Sequence, residues 1–421
     1  MERRDFLRLA SMAGLGVVVA GPFAGQASAA TPYTGKLFLF VHADGGWDPT
    51  SFCDPKGSLG ASDMNPMNEY EAAAIESAGD IRYAPMGTNA AFFQKWYNRL
   101  LVINGIDTGT NSHDAGIRTT WCGTLTEGRP SFGALLAGVY GPTLPMAYIS
   151  NGGYDYTANV ISMTRVPDTG TLARIAFPDE INPGAENPGR YHTEGTIKRI
   201  LAAREARHKA KLGQQRLPKL REEMSTLYAS RLGQDELKQL IQYLPEDFEQ
   251  GPLQRQAQVA IAAYRAGICV GANLSIGGFD THGDHDKTHI PRLDNLWTGV
   301  DFIMDYAAEQ GIAEQLVVVM GSDFGRTPGY NTGQGKDHWN ITSMMMMGAG
   351  IPGNRIIGGT DPRHSPLNLD LASMKPVEGG SGVRIKPGHI HKALRKLAGI
   401  DTAEIVQRFP MAEEEDIPFF G

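Results

Sequence analysis

Two short motifs, Asp280-Thr281-His282 and Asp337-His338, set a carboxylate beside an imidazole. Carboxylate oxygens supply charge and neutral imidazoles supply nitrogen donors, a set suited to zinc, manganese or iron. An Asp-His pair in a loop is more often a turn or a cap than a ligand pair, so each motif alone says little. What joins them is Asp48 and Asp323, each just past an apolar run. Several carboxylates gathered without cations would repel one another, and the reading is therefore a metal site.

The remaining histidines and the sulfur residues are read more plainly. His285 and His289, among Asp284 and Asp286, are placed on the surface or behind the ligands rather than on the ion. His389 and His391 begin the last helix and are expected as capping and surface polarity; His192, His208 and His364 have no supporting pattern. Met344 to Met347 form a core strand rather than a soft copper site. Cys53, Cys122 and Cys269 lack CxxC spacing and allow one bridge at most, so each is expected as a small buried apolar residue.

The elements that must position these groups are short apolar runs followed by polar loops. Lys36 to Val41 leads into His42-Ala43-Asp44-Gly45-Gly46-Trp47-Asp48, and Leu100 to Asn104 leads toward Asn111-Ser112-His113-Asp114 and a helix. Ala272 to Gly278 leads into the Asp280 motif, and Leu316 to Met320 into Ser322-Asp323-Phe324-Gly325-Arg326-Thr327. The Asp337-His338 pair precedes the methionine run. In an open parallel sheet the carboxyl ends of the strands share one crevice. The expected fold is thus α/β, a mostly parallel central sheet flanked by helices. Between about residues 193 and 265 the pattern turns helical and charged, which reads as a solvated helical insert entered through the loop Asp179 to Arg190. A contact surface for an anionic partner is the lesser reading.

The chain has 421 residues, 41% hydrophobic and 20% charged, with net charge −7. That composition excludes disorder, collagen-like repeats and a disulfide scaffold, and it offers no excess of positive charge for a nucleic acid. Residues 1–30 read as a leader: Arg3-Arg4-Asp5-Phe6-Leu7, a weakly apolar run, then Ala27-Ser28-Ala29-Ala30. The twin arginines imply engagement with the twin-arginine translocase and a mature protein, from about residue 30, that is periplasmic or secreted. The apolar run is too short for a stable membrane anchor.

These residues together resemble the domain of unknown function 1501 family: Gly45-Gly46-Trp47-Asp48, Ser112-His113-Asp114, Gly278-Phe279-Asp280-Thr281-His282, Ser322 to Thr327 and Gly335-Lys336-Asp337-His338, in this order. That family is in turn similar to the alkaline phosphatase-like superfamily. The resemblance implies an alkaline phosphatase-like domain over residues 31–421, with Asp280, His282 and His338 at one metal position and Asp48 and Asp323 at another. It also implies a nucleophile at the start of the helix after an early strand, where Ser112 and His113 stand. Phe324 takes the place of the second position's histidine. No Cys-x-Pro-x-Arg block lies near residue 113, so modified-cysteine chemistry is not indicated.

The functional expectation is an exported metal-dependent hydrolase of a small phosphate or related anionic (sulfate) ester. Zinc is the first choice of cofactor, with manganese, iron or calcium as alternatives. Ser112 or His113 would attack or activate water, His113 alternatively serving as a ligand or general acid, and Arg326 would hold anionic oxygens. The rival is a non-catalytic exported binding or assembly protein that keeps the fold and one metal.

Overall fold

The computed structural model describes residues 32–60, 63–166, 187–218, 234–411 and 414–421, with scattered positions between 176 and 185 and at 220, 221 and 224. The leader expected over residues 1–30 lies outside the described residues.

Eight strands make one sheet: β1 (Leu37–Asp44), β2 (Leu100–Asp107), β3 (Tyr148–Ser150), β4 (Met163–Thr164), β5 (Gly271–Gly277), β6 (Leu316–Ser322), β7 (Ile341–Gly348) and β8 (Arg355–Gly358). Their spatial order is β8-β2-β7-β6-β1-β5-β3-β4. Val41 at the centre faces Leu274 of β5 on one side and Met320 of β6 on the other. All pairings are parallel except those of β7, which runs antiparallel to β2 and β6.

Strands covered on both faces need apolar side chains in both directions, and the central runs supply them. Leu37, Leu39 and Val41 of β1, Val318 and Met320 of β6, and Met345 and Met347 of β7 enter one hydrophobic core. The alternate residues Phe38, Phe40, Val317, Val319, Met344 and Met346 enter the other. The methionine run is therefore core strand, as its continuous apolarity implies.

Helices α1 (Asn89–Trp96), α2 (His113–Cys122), α3 (Phe132–Tyr140), α4 (Glu194–Gln214), α5 (Gln234–Tyr243), α6 (Pro252–Arg265), α7 (His285–Glu309) and α8 (Pro387–Leu397) accompany the sheet. The first core is closed by α1, α6 and α7 through Phe93, Ile261 and Trp297, and the second by α2, α3 and α8 through Trp121, Phe132 and Leu394. The result is a helix–sheet–helix sandwich. Within the stretch read as an insert, α4 buries no residue, whereas α6 buries Leu253, Ala257, Ala260 and Ile261. That helical spacing makes α6 part of the sheet's cover rather than of a solvated hairpin.

One consequence of the topology bears directly on chemistry. Because β7 runs against its neighbours, its beginning lies at the edge where β1, β2, β5 and β6 end. Asp337 and His338, which precede β7, thereby join loops that follow four other strands.

Candidate metal centre and its buried neighbour

The loop after β1 turns through Gly45 and Gly46, with φ of 117° and 90°. A Cβ on Gly45 would come within 2.4 Å of the Asp280 backbone nitrogen, and one on Gly46 within 2.7 Å of the Phe324 ring. Glycine is thus required both by conformation and by close approach. The loop is anchored by Ser322 at the end of β6, whose Oγ accepts from Gly46 N–H (3.0 Å) and Trp47 N–H (2.9 Å) and donates to the Ala43 carbonyl. Arg326, fully buried, donates to the carbonyls of Gly45, Gly46 and Lys336 and to Asp280 Oδ1 at 2.7 Å.

Around Asp280 the imidazoles converge. Its Oδ1 lies 3.1 Å from His282 Nε2 and 3.2 Å from His338 Nε2, and these two nitrogens are 2.9 Å apart. The opposite nitrogens decide the protonation. His338 Nδ1 lies 2.8 Å from the Asn111 carbonyl, an acceptor only, so it carries the proton. His282 Nδ1 lies 2.8 Å from Asp337 Oδ1, which also accepts from Asn331 at 3.2 Å. Hydrogen bonding with His282 holds the Asp337 carboxyl below its usual range, so it too acts as an acceptor. In its neutral form each ring therefore carries its lone pair at Nε2, the atom aimed at the other ring and at a carboxylate oxygen. Partial burial works against a charge on Asp280, but the Arg326 guanidinium outweighs it and holds the carboxyl below the ordinary range.

Ligand atoms of a tetrahedral ion at about 2.0–2.1 Å are separated from one another by roughly 3.3 Å. The Asp280, His282 and His338 atoms have nearly that spacing. Their chemistry and their tautomers fit a divalent cation, with the outer nitrogens held by a carboxylate and a carbonyl, as metal-bound histidines commonly are.

His113 opens α2 and stands beside this set: its ring centroid is 4.5 Å from that of His338, and its Nε2 is 3.6 Å from Asp280 Oδ2. His113, Asp280 and His338 each present a donor atom within 4.8 Å of the others. Its Nδ1 is 2.5 Å from Asp323 Oδ2. Asp323 is fully buried and accepts from Gly45 N–H at 3.3 Å, while His42 Nε2 lies 3.1 Å from its Oδ1. Burial opposes its charge; His42 first and then His113 overcome that and hold the carboxyl low. Ser112, at the helix N-cap, is exposed, and its hydroxyl makes no capping bond.

Three expected site residues are placed elsewhere in the chemistry: Asp323, expected as a ligand, is engaged by His113, His42 and Gly45 N–H, and Asp48 and Arg326 are likewise engaged by protein groups. Asp48, expected as a ligand, is fully buried with Lys336 Nζ at 2.5 Å from Oδ2. It also accepts from Thr50 N–H at 3.0 Å, Thr50 Oγ at 2.7 Å and Ser51 Oγ at 3.1 Å, so its lone pairs are filled by protein donors. Burial opposes its charge, but the Lys336 ammonium, aided by His285, holds its carboxyl well below the usual range. Arg326, expected to hold anionic oxygens, has its donors engaged by three carbonyls and Asp280 and no surface to offer. It positions Asp280 and the glycine loop instead.

His285 and His289 are buried rather than superficial, stacked at 4.5 Å, and His289 Nε2 accepts from Asp48 N–H at 3.1 Å. His389 does cap α8, accepting at Nδ1 from Lys386 N–H, but it is buried, as is His391, which donates from Nε2 to the Thr120 carbonyl. The three cysteines are buried and free. Sequence reasoning assigned no role to His42, read as the first residue of the loop after Val41, or to Lys336 and Asn331, which reach Asp48 and the His282 carbonyl from far along the chain. A cavity of about 560 Å³ is lined by Asp114, the residue after His113, and by Ile117, Arg118, Tyr154 and Tyr156 among others. No helix among the described residues is long and apolar enough to cross a membrane.

Comparison with solved structures finds similarity to a Bacteroides thetaiotaomicron protein described with the metabolism of multiple glycosaminoglycans, at 11% identity and TM-score 0.44, covering 92% of this chain and 77% of that one. A sulfatase from Pseudoalteromonas sp. aligns at 12% identity and TM-score 0.37, covering 90% and 69%. An alkaline phosphatase from the Antarctic bacterium TAB5 aligns at 10% identity and TM-score 0.35, covering 77% and 95%. None of the curated proteins matches the sequence. Residues 269–409, the stretch that holds Asp280, His282, Asp323, Arg326, Lys336 and His338, match the model of the family described as Protein of unknown function (DUF1501).

Proposed function

We propose that this chain is an exported metal-dependent hydrolase of phosphate or related sulfate esters. The observation that carries the reading is the pair of imidazole Nε2 atoms 2.9 Å apart beside the Asp280 carboxylate. Facing acceptors repel unless a proton or a cation lies among them, and three ligands leaving one position open are the pattern of catalytic rather than structural zinc. Asp280, His282 and His338 would hold the ion, which when bound would polarise the ester and offset charge developing on the transferring group.

The chain's own part falls to His113. Asp323 fixes its Nδ1 as the proton-bearing nitrogen and leaves Nε2 free to take a proton from water or to attack the ester, as in other histidine–carboxylate pairs. Arg326 and Ser322 keep the loop around Asp280 in place. The neighbouring cavity, with the rings of Tyr154 and Tyr156, has the size to receive the organic part of an ester. The leader with Arg3-Arg4 supports export.

The test is elemental analysis of the purified mature chain together with turnover of phosphate and sulfate mono- and diesters, alongside Asp280→Asn. Bound metal and turnover, both lost in the variant, are expected. Metal without metal-dependent turnover would instead favour the binding or assembly protein, a reading that gains weight from the saturated side chains of Asp48 and Arg326.

A further inference from the structure

A two-ion centre would require a second position built on Asp48 and Asp323, and the residues present do not fit one. Asp48 has its oxygens filled by Lys336, Thr50 and Ser51. Asp323 has one oxygen on His113 and the other beside His42 and Gly45 N–H. His42, which lies within ligand range of Asp44 and Asp323, cannot complete a site with them. Trp121 Nε1–H donates to its Nδ1 at 2.9 Å, so in the neutral ring the proton sits on Nε2, the nitrogen that faces the carboxylates. Phe324, which follows Asp323, packs its ring against His113 and His338 at centroid distances of 5.0 and 4.5 Å.

We infer that the ammonium of Lys336 stands in for the second cation, so that the centre takes one metal ion and the Asp48–Lys336 pair is its permanent, protein-made counterpart. This rests on the metal-site reading above. Lys336 is fully buried, and its remaining contacts suit a fixed cation: Asn68 Oδ1 accepts from it at 2.9 Å, and it lies 5.0 Å from the Tyr330 ring centroid. Its backbone is tied to the same loops, donating to the Thr281 carbonyl and accepting from Arg326. The pair therefore sits in the scaffold that carries the ligands, with a built-in charge on the carboxylate expected to hold the second ion.

The experiment measures zinc bound per chain after stripping with chelator, reloading with excess zinc and desalting. It compares the unaltered protein, His282→Ala and the double variant Asp48→Asn/Lys336→Met, in which no uncompensated charge is left buried; circular dichroism checks each fold. One equivalent in the unaltered protein, close to none in His282→Ala and one in the folded double variant is the expected result. Two equivalents in the unaltered protein, or loss of an equivalent in the folded double variant, would overturn the inference while leaving the metal site standing. No zinc in the unaltered protein would overturn the metal reading itself.

Discussion

Two clusters of carboxylate and imidazole lie side by side at the carboxyl edge of the sheet, and they differ in where the protons are. Around Asp280, the outer nitrogens of His282 and His338 donate to fixed acceptors, so the inner nitrogens are lone pairs pointing into a partly exposed space. Around Asp48, protein donors fill the carboxylate, and His289 accepts from a backbone N–H, so its other nitrogen bears the proton. The same rule disposes of His389, Glu414 and Glu415, which also lie within ligand range of one another. There Lys386 N–H occupies Nδ1 and leaves an N–H facing Glu415. Residue type gathers candidates, but the hydrogen bond on the far side of each ring separates a ligand from a structural histidine.

The largest expected effect tests the active side of this contrast. His113→Gln keeps a polar group at the helix start but removes the group that accepts a proton or attacks. Zinc content should be unchanged, while turnover of a phosphate ester falls by up to about 10⁴-fold. Equal losses of zinc and turnover would make His113 a ligand instead.

Lys336→Met tests the buried side. Removing one partner strands the Asp48 charge away from water, and a loss of about 3–5 kcal/mol in urea unfolding is expected. Asp48→Asn/Lys336→Met should regain most of it, since no charge is then left unpaired. A single variant as stable as the unaltered protein would mean that Asp48 has another counter-charge.

How far this contrast could be read from sequence depends on what each contact needs. The strands Leu37–Asp44, Leu100–Asp107, Gly271–Gly277 and Leu316–Ser322 announce themselves by uninterrupted apolar residues, and the polar loops after them follow directly. The direction of Ile341–Gly348 does not, because an apolar run has no polarity, yet that direction brings His338 to Asp280. Asp48 and Asp280 look alike in sequence, each an acid in a glycine-rich loop. Only the fold shows that Lys336, 288 positions away, reaches the first. His42 drew no role because it reads as the first residue of the loop after Val41, whereas the strand runs on to Asp44, and its tautomer is set by Trp121 on α2.

A smaller effect is expected behind the metal position. Asp337→Asn weakens the acceptor that fixes His282 with its proton on Nδ1, and outer partners of this kind contribute about 10–100-fold to metal affinity. Competition with a chromogenic zinc chelator should show a drop of that order with stoichiometry unchanged. An unaltered affinity would mean that His282 is oriented by Asn331 and the backbone alone.

The smallest effect extends the contrast to a histidine that is purely structural. His391 on α8 donates from Nε2 to the Thr120 carbonyl on α2, the helix that presents His113. Burial, which the Thr120 bond only partly offsets and nearby Arg395 reinforces, lowers its pKa to about 4. An unfolded chain would bind this proton near the ordinary value of about 6.5, so the folded state binds fewer protons between the two. Stability from this group is complete above about pH 6.5 and is lost as pH falls toward 4. Between pH 7 and 5.5 the loss should be about 1 kcal/mol. His391→Gln can still donate to Thr120 without titrating, so its urea midpoint should fall less over that interval than that of the unaltered protein. Parallel slopes would place the proton uptake elsewhere and leave His391 outside the acid sensitivity of the fold.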